Sequence, residues 1–229
     1  MVSALSAEEK KEGKVHIPDG FLNTATVATT MVISAGGVGV AARMAGKEME
    51  EKKVPLMGVL GAFVFAGQML NFPIGIGTSG HLVGAALMSI LLGPWSAALV
   101  MSLVIIIQCF IFQDGGLLAL GANILNMSLI ASFSSYFIYR LSGRAFGHLP
   151  RGNLIGVFLA AWSSVVLASA ACALELGFSG VVPLGVALPA ITGVHALIGL
   201  GEGLITAVVI SFVRAVRPDL IKSRVEMVR

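Results

Sequence analysis

Few residues in this chain can do polar chemistry, and those few are concentrated at a handful of points. His16 lies in V-H-I-P-D-G-F-L, and His81 closes a glycine-rich loop, N-F-P-I-G-I-G-T-S-G-H. Each alone has an ordinary reading: a loop histidine ahead of a Pro-Asp-Gly turn, or a histidine capping a helix. Together they offer more. Neutral imidazole is a good ligand for Ni, Cu, Co and Zn, and two imidazoles with backbone donors could hold one such ion. Asp114, in F-Q-D-G-G, could accept a hydrogen bond from a metal-bound imidazole N–H; its other reading is an Asp-Gly-Gly turn. Asp19 follows His16 closely. Asn71, Ser79, Gln108, Asn123 and Asn126 are further polar groups within or beside apolar runs.

Glu202 is the one acid deep inside an apolar run, in G-L-G-E-G-L-I-T. His195 precedes it by about two helical turns, so the two share a helix face. They read either as a buried polar network that fixes packing or as an additional polar site. Cys109 and Cys172 sit in apolar runs and read as small core hydrophobes, not as a disulfide or a metal knuckle. No G-x-x-x-x-G-K-[ST] segment occurs, so ATP binding through a P-loop is excluded.

The elements that must position these groups follow from composition. The chain has 229 residues, 56% hydrophobic and only 12% charged, against about a quarter charged in soluble domains. Mean hydropathy is +0.93. A soluble domain, a disordered chain and a nucleic-acid module are excluded, in spite of a net charge of +3. No Lys or Arg lies between Val54 and Tyr139. A spanning helix needs about 20 apolar residues, which predicts spans at roughly 24–43, 54–70, 79–92, 95–112, 117–139, 152–174 and 187–213. Of the 15 basic residues, most lie in 43–53, 140–151 and 214–229. Seven spans put those three segments on one side, and the positive-inside rule makes that side cytoplasmic. The expectation is an all-α polytopic membrane protein of about seven transmembrane helices, N-terminus outside and C-terminus cytoplasmic, in the cell (cytoplasmic) membrane. The outer segments, 15–23, 71–80, 113–116 and 175–186, then hold Asp19, Asp114 and Glu175, with His16 and His81 beside them. Residues 1–14 read as a disordered extension or a mis-assigned start, 15–215 as the transmembrane domain and 216–229 as a basic cytoplasmic tail. In the first span, Ala35/Gly39 and Gly37/Ala41 make a stripe of small residues able to pack a helix of this chain or of a partner.

Several segments, in order, resemble the CbiM/NikM family: V-H-I-P-D-G-F-L, N-F-P-I-G-I-G-T-S-G-H-L-V-G-A-A-L, L-L-G-P-W, F-Q-D-G-G-L-L-A-L-G-A-N-I-L-N-M and G-V-H-A-L-I-G-L-G-E-G-L-I-T. The resemblance covers residues 15–215. It implies the substrate-capture (S) component of an energy-coupling-factor transporter for Co(II) or Ni(II). Its implied partners are a transmembrane coupling (T) subunit, two cytoplasmic ATPase subunits, a small accessory membrane subunit in many systems, and membrane lipid, with no nucleic acid and no organic cofactor. It also implies a near-planar nitrogen set for the metal, carried here by the amine and amide of the Val15–His16 pair, the His16 imidazole and the His81 imidazole. Such a strong-field set suits square-planar Ni(II) or Co(II). Family members begin Met-His, whereas here residue 15 is Val with fourteen residues ahead of it. Translation from a GUG codon at Val15 is the favoured explanation, with proteolytic processing and a different ligand set as the others. H-I-P-D-G-F leans towards cobalt, and so towards cobalamin synthesis, over nickel. Two rivals are weaker. An intramembrane serine hydrolase would use Gly77-Thr-Ser-Gly80 with His81 or His195 as base, but Ser79 falls in an outer loop. A passive metal channel would need no partner.

Overall fold

The computed structural model describes residues 16–48, 51, 53–70, 72–75, 78–146 and 150–221. The expectations for residues 1–14, Val15, Asn71 and the end of the tail (222–229) lie outside the described residues.

Apolar runs become helices because lipid leaves the backbone no other partner for its N–H and C=O groups. In chain order they are α1 (Thr24–Glu48), α2 (Lys53–Gln68), α3 (Ala85–Leu92), α4 (Pro94–Phe112), α5 (Leu120–Ile124), α6 (Ala131–Phe146), α7 (Pro150–Phe178) and α8 (Leu184–Val216). A six-residue π turn, Leu125–Ile130, joins α5 to α6 without a break in the helix. Among the described residues four segments are long and apolar enough to cross a membrane unaided: α1, α4, residues 154–178 of α7, and α8.

The third segment departs from the expected 79–92. The expected outer segment ahead of it and residues 79–80 form a short antiparallel hairpin, β1 (Phe72–Gly75) with β2 (Thr78–Gly80), pairing Phe72 with Gly80 and Pro73 with Ser79. Closely spaced glycines favour a turn over a helix, and helix begins only at Ala85. Eight residues rise about 12 Å, too short to cross a bilayer. Every residue of α3 is buried. It therefore works as an internal plug, packed on α4, α6 and α7. Gly93 and Pro94 separate it from α4: Gly93 turns the chain at φ +87° and Pro94 opens the next helix.

The core runs along α3, with Leu87, Met88, Leu91 and Leu92 against Met101 and Ile105 of α4 and Val157 and Val165 of α7. The antiparallel pair α7–α8 is the most extensive helix contact, followed by α6–α7. The start of α1 meets the end of α7: Asn23 Nδ2 donates to the Phe178 carbonyl at 3.0 Å and Ser179 Oγ bonds Thr26 Oγ1 at 3.1 Å. That end of the bundle also gathers residues 16–19, 81–84 and 113–123. The basic residues Arg43, Lys47, Lys53, Arg144 and Arg214 lie towards the opposite helix ends.

Glu175 is not in an outer loop, as its place in the sequence suggested. It belongs to the last turn of α7, where it is buried and accepts a hydrogen bond from Asn126 Nδ2 at 2.7 Å. The stripe on α1 divides in two. Gly37 and Ala41 face inward, where a Cβ on Gly37 would meet Leu129, while Ala35 and Gly39 face outward.

Candidate metal-binding site

The segment ahead of α1 does not hang free. Ile17 pairs with Asn123 as one strand pairs with another: its N–H donates to Asn123 Oδ1 at 3.0 Å, and its carbonyl accepts from Asn123 Nδ2 at 3.2 Å. The same carbonyl accepts from the Gly116 N–H at 2.9 Å. Asp19, exposed, caps three successive backbone N–H groups, those of Leu117, Leu118 and Ala119, at 3.1, 2.8 and 3.3 Å. The Asp-Gly-Gly sequence has its physical reason here. A Cβ on Gly115, at φ +93°, would come within 2.8 Å of the His16 Cβ, and one on Gly116 would strike Asp19. Only a groove floor without side chains admits this segment.

So held, His16 is almost fully buried, at 4% exposure. Its backbone N–H and its Nδ1 converge on one side, 3.4 and 3.3 Å from the same Asp114 oxygen. Among the described residues neither ring nitrogen finds a partner in hydrogen-bond geometry. Asp114 is itself placed by the end of α4, where its N–H donates to the Gln108 carbonyl at 3.0 Å.

His81 approaches from the other side. The two imidazole centroids are 5.9 Å apart with the rings inclined at 36°. Metal–imidazole bonds are about 2.0–2.1 Å, so two rings bound to one ion have centroids roughly 6 Å apart or less. His81 Nδ1 lies 3.0 Å from the Leu82 carbonyl. Neutral imidazole is the form that binds metal.

The two rings line a cavity of about 80 Å³ whose wall includes Asn123, Asn126, Ser169, Cys172 and His195. The π turn contributes Asn126 to this wall, and π turns recur at functional sites. His195 Nδ1 lies 2.8 Å from the Ile191 carbonyl one turn back on α8. Among the described residues no three His, Cys, Asp or Glu side chains converge as a metal cage.

The remaining sequence candidates sit beside the cavity or away from it. Glu202 lies beneath the His81 segment, accepting from the Val83 and Gly84 N–H groups. Gln108 bonds Gln68. Ser79 belongs to β2. Ala35, Gly37, Gly39 and Ala41 belong to α1. Sequence reasoning left Gln68 and Glu175 out of the site. Gln68 bonds the Val83 carbonyl at 2.7 Å. Glu175 lines a cleft of about 450 Å³ between α1 and α7 with Thr26, Thr29 and Thr30. Neither residue stands in a motif that marks it.

Comparison with known proteins gives a consistent picture. The family model described as the cobalt uptake substrate-specific transmembrane region, CbiM, matches residues 16–220. A protein of Archaeoglobus fulgidus, provisionally named a fused nickel transport protein NikMN, is 41% identical over 213 residues, which is 92% of this chain and 69% of that one. The cobalt transport protein CbiM of Sorangium cellulosum is 31% identical over 223 residues, covering 94% of this chain and 97% of its own. A crystal structure of a transition metal transporter superposes with a TM-score of 0.81 at 34% identity, over 93% of this chain and 99% of the other.

Proposed function

The chain belongs to the CbiM family, the substrate-specific transmembrane region of cobalt uptake, and from that premise we propose that it captures Co(II) at the outer membrane face for an ATP-driven importer, with Ni(II) as the alternative substrate. It is a multi-pass membrane protein of metal transport, and its family is a transport component, not an enzyme. The ligands in this reading are the nitrogens of the Val15–His16 pair and the imidazoles of His16 and His81.

One observation carries the reading: the amide and Nδ1 of His16 converge on one point, with a second imidazole 5.9 Å away. An amide and an imidazole of one residue, facing the same way, form a chelate ring. Nitrogen-rich, near-planar sets favour Ni(II), Co(II) and Cu(II) over hard cations such as Mg(II). Asp114 then stands beside the ion, where its charge would offset that of the metal. The positive-inside rule places the basic helix ends in the cytoplasm, and hence His16, His81 and Asp114 outside. The short α3, which does not cross by itself, would lead the chain from the outer end back to the start of α4, in keeping with that orientation. Energy enters through a coupling subunit and two ATPase subunits, since this chain has no phosphate-binding loop.

The test is metal retention by purified, detergent-folded protein. His16→Ala and His81→Ala should each lose high-affinity Co(II) and Ni(II) binding, with thermal unfolding still cooperative. Undiminished affinity in either variant would remove that residue from the ligand set.

A further inference from the structure

The ligand assignment leaves Glu202 unexplained, although it is among the most deeply buried polar groups, 2% exposed. Its two carboxylate oxygens accept from consecutive backbone groups: the Val83 N–H reaches Oε2 at 2.8 Å and the Gly84 N–H reaches Oε1 at 2.7 Å. The other side of the Val83 residue is held as well. Gln68 Nε2 donates to the Val83 carbonyl at 2.7 Å, and Gln108 Nε2 donates to Gln68 Oε1 at 2.9 Å. Both glutamines are fully enclosed. Three helices, α2, α4 and α8, thus fix a single stretch of chain, two residues beyond His81.

A buried carboxylate is costly unless its oxygens are satisfied, and a well-packed apolar side chain of similar volume would avoid the cost. Helix packing alone therefore gives no reason for an acid at this position. Two parallel charge-assisted bonds to adjacent N–H groups do give one, because they define both the position and the direction of the segment. Val83 itself lines the cavity, and the His81–Leu82 dipeptide leads from the clamp to the His81 ring, whose Nδ1 lies 3.0 Å from the Leu82 carbonyl.

We propose that Glu202 is a positioning residue for metal capture: by clamping the Val83 and Gly84 N–H groups it sets where the His81 imidazole stands relative to His16. The proposal rests on His81 being a ligand. A merely structural acid would affect stability alone. A positioning acid must act on the metal through His81, and be silent when His81 is gone.

The experiment is a double-mutant cycle on the full chain in detergent, titrated with Co(II) or Ni(II) and followed by the ligand-field absorption of the bound ion. Glu202→Gln places an amide N–H₂ against a backbone N–H, breaking one arm of the clamp at nearly constant volume. It should weaken binding ten- to a hundredfold, the usual effect of losing a group that orients a ligand. It should also move the absorption band towards that of His81→Ala. In the His81→Ala background the same substitution should change the residual affinity by no more than about twofold, since the group it orients is absent. Equal weakening in both backgrounds, or an unshifted band, overturns the proposal. Gln68→Ala loosens the opposite side of Val83 and should follow the same pattern, so the cycle can be completed with it if Glu202→Gln does not fold. His81→Ala binding as tightly as the unmodified chain would overturn the ligand assignment itself, a result read without any Glu202 variant.

Discussion

Asp19 shows how one exposed side chain can govern a buried one. Its carboxylate caps the N–H groups of Leu117, Leu118 and Ala119, groups that the following helix cannot satisfy. The capped turn carries Gly115 and Gly116, the floor on which His16 lies. Asp19→Ala should therefore cost roughly 1 kcal/mol in stability, as the loss of a cap does. Its effect on metal affinity should be larger, about tenfold, because the segment bearing His16 loses its outer anchor. Asp19→Asn keeps one acceptor oxygen and should fall between. Calorimetric titration with Co(II) beside a thermal melt separates the two effects, and a change in melting temperature with unaltered affinity would show that Asp19 supports the turn alone. The sequence could mark His16, His81 and Asp114 as candidates because imidazoles and acids are scarce in so apolar a chain. It could not show that Asp19 grips residues about a hundred positions away, since nothing in a local pattern encodes a contact at that separation.

At the scale of elements, the face of α8 that carries Glu202 is set by how closely it lies on α7. Gly199 and Gly203 recur at the spacing that lets two helices approach. A Cβ on Gly203 would come within 2.6 Å of the Phe158 ring, and one on Gly199 within 3.0 Å of Trp162, whose Nε1 already donates to the Ala196 carbonyl at 2.9 Å. Gly203→Ala should push α8 off α7, lowering stability by roughly 1–3 kcal/mol and weakening metal binding by way of Glu202. Gly201 faces open space, so Gly201→Ala should leave both unchanged or slightly raise stability. Thermal melts of the two variants, with metal titrations, check the contrast; equal losses would mean that this approach is not the determinant. The helices themselves were readable, because each apolar run approaches the length a bilayer demands. The hairpin at 72–80 and the π turn at 125–130 were not. The first fills the expected outer segment 71–80 and takes only the first two residues of the expected span 79–92, where glycines make helix unfavourable. The second has the same residue types as ordinary helix and differs only in its hydrogen-bond register. Glu175 was misplaced for a related reason: an acid at the end of an apolar run reads as the start of a loop, whereas Asn126, distant in sequence, draws it into the helix.

The whole molecule presents an apolar surface to its surroundings. Val32 of α1, Phe110 and Ile111 of α4, Phe137 of α6 and Val208 and Phe212 of α8 are all more than half exposed, an arrangement suited to lipid and not to water. Glu175 and Glu202 lie within helices, and each is hydrogen-bonded, to Asn126 or to the Val83 and Gly84 backbone. Among the described residues neither stands in a ladder of acids along which a coupling proton or sodium ion could move, and a site of nitrogen donors such as we propose has no physical reason to release its ion uphill unaided. In the function we propose, work against a gradient comes from another subunit. The purified chain, reconstituted in vesicles, should turn over no ATP and should bind Co(II) without concentrating it. Addition of the coupling and ATPase subunits should give ATP-dependent accumulation, which His16→Ala or His81→Ala should abolish while ATPase turnover by the partner subunits remains measurable. Radiolabelled cobalt uptake, run with and without those subunits, decides the matter: concentrative uptake or ATP hydrolysis by this chain alone would contradict the assignment, and a steady downhill leak without partners would favour a channel.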